Sequence, residues 1–163
     1  MAKPLLRTNK EVTESYEKYK LMIYRVCFTY MKNVTDTEDM VQDTFIQLIR
    51  KCPKFESDEH EKAWLLRVAI NLCKNKLKHW WRKRSSIENE ERLGGSTNIQ
   101  IDTTLQVIMD LPDKYKTVIY LYYYEGYDSV EISNMLEKPA STVRNHLHEA
   151  RNELRKKLGG EFE

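Results

Sequence analysis

Near the C-terminal end of the chain stand Ser141, Thr142, Arg144, Asn145, His148 and Arg151, side chains suited to nucleic acid. Arg matches the acceptor pair of guanine and Asn the mixed edge of adenine in the major groove, whereas Ser and Thr hydroxyls and a helix N-terminus hold phosphates. Interleaved with them are Val143, Leu147, Ala150, Leu154 and Leu158, at spacings of four, three, four and four. That period makes one buried helical seam and turns the polar set outward. An amphipathic surface helix with a solvated face would show the same pattern, so the preceding residues carry weight. Asp128, with Glu131 three residues on, is a capping-box arrangement that starts a short helix. Glu137-Lys138-Pro139 turns the chain, and a second helix follows over 140–158. A capped helix, a tight turn and a polar-faced second helix are the layout of a DNA-reading helix-turn-helix.

Two other stripes lie upstream. Arg67, Asn71, Lys74, Lys78 and Arg82 follow one another by four, three, four and four, with Trp80 and Trp81 beside them. A basic face ending in aromatics suits a phosphate backbone and stacked bases, though lysine-rich helix ends are also simply solvated. Asp36, Asp39, Gln42 and Asp43 form an acidic stripe with no His nearby. Paired carboxylates without a base or a Gly-rich loop suit a protein contact or a solvated face better than catalysis. No nucleophile elbow, phosphate-binding loop or metal-ligand spacing occurs, so no enzyme, cofactor, metal or small-molecule substrate is expected. Cys27, Cys52 and Cys73 form no CxxC pair and read as small buried hydrophobes.

The elements that must position these stripes are helical. The 163 residues are 40% hydrophobic and 32% charged, with only five Gly and four Pro, a helix-rich balance. No apolar run reaches the roughly 18 to 20 residues of a membrane span, and the N-terminus lacks a signal-peptide core, which predicts a cytoplasmic protein. The net charge of +2 is unevenly spread. Residues 1–84 hold 18 Lys and Arg against 11 Asp and Glu, residues 85–110 hold 1 against 5, and residues 111–163 hold 8 against 9. The spacing predicts one helix over about 12–30 and a second N-capped by Asp36, with Met40, Val41, Thr44, Phe45, Leu48 and Ile49 as its buried stripe. A third runs from about Glu59 to Trp81 or Arg84, with Trp64, Leu65, Val68, Ala69, Leu72, Cys73 and Leu77 inward. Residues 85–102, acidic and containing Gly94-Gly95-Ser96-Thr97, read as a flexible linker. A lead helix near 103–109, a helix started by Pro112 with Tyr115, Val118, Ile119, Leu121 and Tyr122 inward, and the helix-turn-helix complete the chain. The expected architecture is all-α, with two small helical domains at 10–84 and 103–160.

Three segments in order resemble the bacterial sigma factors of the sigma-70 superfamily. Asp36-Thr37-Glu38-Asp39-Met40-Val41-Gln42-Asp43-Thr44-Phe45 looks like the polymerase-binding helix of region two. Lys62 to Leu72 looks like the promoter-melting helix, and Leu111 to Leu158 looks like region four. Two domains with an acidic linker resemble the small extracytoplasmic-function (ECF) group. The resemblance spans about residues 16–158 and implies a subunit that binds core RNA polymerase, through its β′ and β subunits, and directs initiation at specific promoters. Asp36, Asp39, Gln42 and Asp43 would contact the polymerase. The loop Lys54 to Glu61, with Phe55, would receive a flipped base of the −10 element, and Arg67, Asn71, Lys74 and Lys78 would line the non-template strand. Ser141, Thr142, Arg144, Asn145, His148 and Arg151 would meet the −35 element. The acidic linker would thread toward the RNA exit path, and a dedicated anti-sigma factor is the family's usual inhibitor. Three positions depart from the pattern: Glu137 and Ser141 stand where Gly is usual, and Glu149 where a basic residue is common. A free-standing, dimeric helix-turn-helix regulator is the alternative reading, and a protein-binding helical adaptor a further one.

Overall fold

A computed structural model describes residues 9–83 and 103–159, and every regular element among them is an α-helix. The chain divides into two compact units. The first holds α1 (Asn9–Met31), α2 (Val34–Lys51) and α3 (Asp58–Lys83), each packed against the other two. The second holds α4 (Thr103–Met109), α5 (Asp113–Tyr123), α6 (Ser129–Leu136) and α7 (Ala140–Leu158), with α7 lying on the other three. The linker predicted at 85–102 lies outside the described residues.

In the first unit, α1 closes on Lys32, which takes a left-handed conformation (φ 65°) and donates its N–H to the Phe28 carbonyl at 3.0 Å. Asn33 then caps α2: its Oδ1 accepts from the Asp36 N–H at 2.8 Å, and its Nδ2 donates to the Asp36 carboxylate at 2.8 Å. The expected cap, Asp36, therefore lies in the first turn, three residues inside. Asn ranks with Asp as a cap, and starting at Asn33 satisfies both side chains at once. Fully buried Thr37 and Thr44 turn their hydroxyls onto the Asn33 and Met40 carbonyls, which removes the cost of burying them.

The core centres on Ile23, Leu48, Leu65, Leu66 and Ile70, each almost wholly shielded. Each such side chain contributes about 1.5–3 kcal/mol of apolar burial. Two expected seams are corrected here. Ile49 is 44% exposed. On α3 the buried line is Leu65, Leu66, Ala69, Ile70 and Cys73, while Trp64, Val68, Leu72 and Leu77 are half-buried. Apolar residues occupy 63–66 and 68–70 almost without a break, so spacing alone leaves the rotation open and packing against α1 and α2 decides it. Cys27 and Cys73 meet inside this core as free thiols, and the hydrogen bond between them, with burial, pushes the Cys27 thiol well above its usual range.

In the second unit α5 is the central element, with residues 116–121 all buried. The expected inward residues Tyr115 and Tyr122 are only half-buried, and Tyr120 takes the interior instead, its hydroxyl donating to Glu125 at 2.9 Å. That hydrogen bond lets a phenol enter the core. Gly126 turns the chain at φ 79°, and the Tyr127 N–H reaches back to the Leu121 carbonyl at 3.1 Å. The capping box forms in full: Glu131 N–H to Asp128 Oδ1 at 2.8 Å and Asp128 N–H to Glu131 Oε1 at 2.9 Å. Glu137 closes α6 in the left-handed region (φ 57°), and Pro139 leads into α7. Val143, Leu147, Ala150 and Leu154 are buried as the spacing required, with Leu158 half-buried.

Candidate nucleic-acid interface

The seam of α7 fixes what its other sides offer. Ser141, Arg144, Asn145 and His148 are exposed, and Thr142 is half-buried. They occupy the first turns of a helix whose N-terminus has no side-chain cap, so the first N–H groups have no side-chain acceptor. Hydrogen-bond donors, hydroxyls and a positive helix end thus come together over about two turns, the equipment for reading base edges and holding flanking phosphate.

The flanks of α7 are committed to α5. Tyr115 donates its hydroxyl to Glu149 Oε1 at 2.6 Å. This bond holds the Tyr115 phenol above its usual range and draws onto α5 the carboxylate that stands where a basic residue is common in the family. Arg151 is half-buried; its Nε–H donates to the Tyr123 hydroxyl at 3.2 Å, and its guanidinium lies 5.0 Å from the Tyr122 ring centre. The Tyr123 bond raises its pKa further. His146 meets the Tyr115 ring edge-on at 6.0 Å, with Nδ1 buried and no hydrogen-bond partner. Desolvation, then Lys138 and Lys114, lower its pKa.

On α3, Asn71 and Lys78 are exposed while Arg67 and Lys74 are half-buried. Lys76 lies 5.8 Å over the Trp80 ring. The side chain of Arg82 lies outside the described residues. The segment 54–61 is not one loop: its second half is the first turn of α3. Ser57 holds that turn, accepting from the His60 N–H at 3.1 Å, and His60 Nδ1 accepts from the Glu56 N–H at 3.1 Å. Phe55 is half-buried with its ring against His60 (5.2 Å) and Trp64 (5.7 Å). Across from it, Ser15 donates to Glu61 at 2.6 Å and Lys18 pairs with Asp58 at 2.8 Å, tying the start of α3 to α1. The loop that remains, 52–57, is short and anchored at its far end.

On α2, Asp39 and Gln42 are exposed, Asp43 is half-buried, and Asp36 is half-buried and engaged by Asn33. Sequence reasoning missed what lies beside them. A groove of about 570 Å3 runs between α1 and α2, with Gln42, Tyr16, Leu21, Ile46 and Ile49 in its walls. The last four are 37–53% exposed. Tyr16, Leu21 and Ile46, apolar but off the expected seams, were the available signal, but only two packed helices make them a groove. No group of His, Cys, Asp and Glu suited to a metal occurs among the described residues, and no helix there is long and apolar enough to cross a membrane.

Two family models match the chain. Sigma-70 region 2 covers residues 15–85, and Sigma-70, region 4 covers residues 102–154. The chain is 29% identical to ECF RNA polymerase sigma factor SigW of Bacillus subtilis (strain 168), over 86% of this chain and 84% of SigW. It is 27% identical to RNA polymerase sigma-H factor of Pseudomonas aeruginosa, over 86% and 82% respectively. Among solved structures, the sigma factor RpoE of Bartonella quintana, crystallised with the anti-sigma factor NepR, shares the fold. Its TM-score is 0.73 at 19% identity, covering 93% of this chain and 99% of that one. CnrH, solved with the cytosolic domain of CnrY, gives a TM-score of 0.66 at 17% identity, over 94% of this chain and 91% of CnrH.

Proposed function

The chain belongs to the sigma-70 family, in its ECF group of RNA polymerase sigma factors, and from that premise we propose how its faces divide the task of directing transcription initiation at specific promoters. Asp39 and Gln42, exposed on α2 beside the α1–α2 groove, meet core RNA polymerase, with Asp36 and Asp43 flanking them. Phe55 and the short loop before α3 take up a base of the −10 element. Arg67, Asn71, Lys74 and Lys78 follow the displaced strand, where their cations neutralise phosphate. Unstacking one base costs a few kcal/mol, which contacts in the receiving pocket offset. Ser141, Thr142, Arg144, Asn145 and His148 face the −35 element in the major groove. The working divisions are 10–84 for polymerase and the −10 element, 85–102 as a connecting segment, and 103–160 for the −35 element.

The observation that carries this reading is the exposure of Arg144, Asn145 and His148 over the buried α7 seam, within a segment that matches region 4. The role requires no catalytic group from this chain, since the polymerase performs the chemistry, and it places the protein in the cytoplasm. Because the similar proteins RpoE and CnrH were solved with NepR and with CnrY, we extend the proposal to an anti-sigma factor for this chain. A free-standing regulator is not favoured: it would bind a palindromic operator without polymerase.

The test is reconstitution with bacterial core polymerase. The chain should co-elute stoichiometrically and enable start-site-specific transcripts from a promoter library. Asp39→Ala with Gln42→Ala should weaken polymerase binding by roughly tenfold or more while helicity stays intact. Clean separation from polymerase, with operator binding by the chain alone, would refute the proposal.

A further inference from the structure

Arg151 lies on the same α7 stripe as Arg144 and His148, at spacings of four and three, yet its surroundings differ from theirs. Arg144 and His148 are exposed, whereas the Arg151 guanidinium is drawn onto two aromatic rings of α5. Its Nε–H donates to the Tyr123 hydroxyl at 3.2 Å, and its Cζ lies 5.0 Å from the Tyr122 centroid and 6.0 Å from that of Tyr123. Lying over one ring while donating from Nε to the neighbouring phenol combines a cation and a sideways N–H that Lys does not offer. A second tie lies nearby. Glu149, two residues earlier on α7, accepts from Tyr115, eight residues before Tyr123 on α5. Eight residues of helix span about 12 Å. The buried seam sets which face of α7 turns outward, and holding one short stretch of α7 at two well-separated points along α5 restrains the residual roll about its axis.

We propose that Arg151 is a positioning residue for −35 recognition: it acts through Tyr122 and Tyr123 of α5 and restrains the roll that the buried seam leaves to α7, so that Arg144, Asn145 and His148 are held in register with the base edges. Rotation matters because side chains on a helix are separated by about 100° per residue, so a modest roll carries a reading side chain off its base. The inference rests on the −35 role given to α7, and it assigns Arg151 work that a phosphate-binding arginine would not do.

The experiment uses the full chain with core polymerase on a promoter duplex selected by wild-type holoenzyme from a random-sequence library. Arg151→Lys and Arg151→Ala should each weaken binding by roughly tenfold, the scale of one lost base contact. The slope of log affinity against log salt should stay at the wild-type value. Tyr123→Phe should lose part of the same affinity and add nothing to Arg151→Ala. Full affinity in Arg151→Lys, or a slope reduced by about one in Arg151→Ala, would instead assign Arg151 to a phosphate and overturn the proposal. A double-mutant cycle of Arg151 and Tyr123 in thermal unfolding of the free chain needs no promoter. A measurable coupling is expected, and additivity would overturn the link. Failure of the wild-type holoenzyme to select any duplex would sink the −35 reading and this proposal together, and is recognisable because it strikes the wild type as well as the variants.

Discussion

The helices α3 and α7 both carry basic faces, but they are held in place differently. α3 is 26 residues long and forms one wall of a three-helix bundle, with Leu65, Leu66, Ala69, Ile70 and Cys73 sunk between α1 and α2. α7 is 19 residues long and rests on helices of 7, 11 and 8 residues. Helices that short are marginal by themselves. The second unit accordingly adds directional bonds: the Asp128–Glu131 box, the Tyr120–Glu125 bond, and the Glu149 and Arg151 ties to α5. Long helices packed side by side are positioned by apolar burial along their length, with ties such as Ser15–Glu61 and Lys18–Asp58 only at the start of α3; short helices need such bonds at several points to specify the geometry. On the proposed division of roles the lesson extends to function, because a face that follows a backbone tolerates small displacements and one that reads bases does not.

The sharpest test contrasts two leucines on α3. Leu66→Ala should cost about 2–5 kcal/mol in urea unfolding, whereas Leu72→Ala, at a half-buried site that spacing placed inside, should cost clearly less, about 1 kcal/mol. Equal costs would erase the corrected seam. Next, Arg144→Ala should lose about 1–3 kcal/mol of −35 discrimination at an unchanged unfolding midpoint. Lys78→Ala should instead weaken binding evenly across sequences and lower the salt slope by about one. A sequence-specific effect of Lys78 would break the division between reading and following. Asp128→Ala should destabilise the second unit by about 1 kcal/mol, visible as faster amide exchange in α6, with α1 to α3 unaffected.

The smallest expected effect is a pH dependence at His146. Its pKa in the folded chain is lowered from 6.5, chiefly by desolvation and then by Lys138 and Lys114, with Glu149 opposing. The unfolded chain therefore binds the proton more readily. The contribution of neutral His146 is present above the unfolded value and is lost as pH falls through 6.5 toward the folded pKa. Thermal stability of the second unit should decline over that window, and His146→Gln should flatten the decline. An unchanged profile in the variant would place the titration elsewhere.

How much the sequence disclosed follows the same contrast. Val143, Leu147, Ala150 and Leu154 stand singly among polar residues, so only one rotation of α7 buries them, and the exposed set follows. The capping box was equally legible because both partners lie within four residues. On α3 a nearly unbroken apolar block supports two rotations, and the choice rests on neighbours distant in sequence. The α2 cap slipped by one turn because Asn33 and Asp36 are both competent caps and cooperate. Of the candidate sites, exposure on α7 was readable, but the capture of Glu149 and Arg151 by tyrosines was not. Tyr115–Glu149 and Tyr123–Arg151 are separated by 34 and 28 residues, and no local pattern announces them.

Lys32, Cys52 and Glu137 each hold a left-handed backbone at the end of a helix, and none is glycine. Each such residue costs about 1–2 kcal/mol, or roughly a tenfold fall in the ratio of folded to unfolded chain. Two of the three fall in the first unit. The chain thus forgoes stability at three helix ends, of which Cys52 opens the loop given to the −10 element and Glu137 lies in the turn that leads into α7. A protein left below its attainable stability exposes a larger unfolded fraction to any protease that acts on unfolded polypeptide, and is cleared sooner. For a factor whose output scales with the number of copies loaded on polymerase, these three residues bear on how long a burst of transcription lasts after synthesis stops.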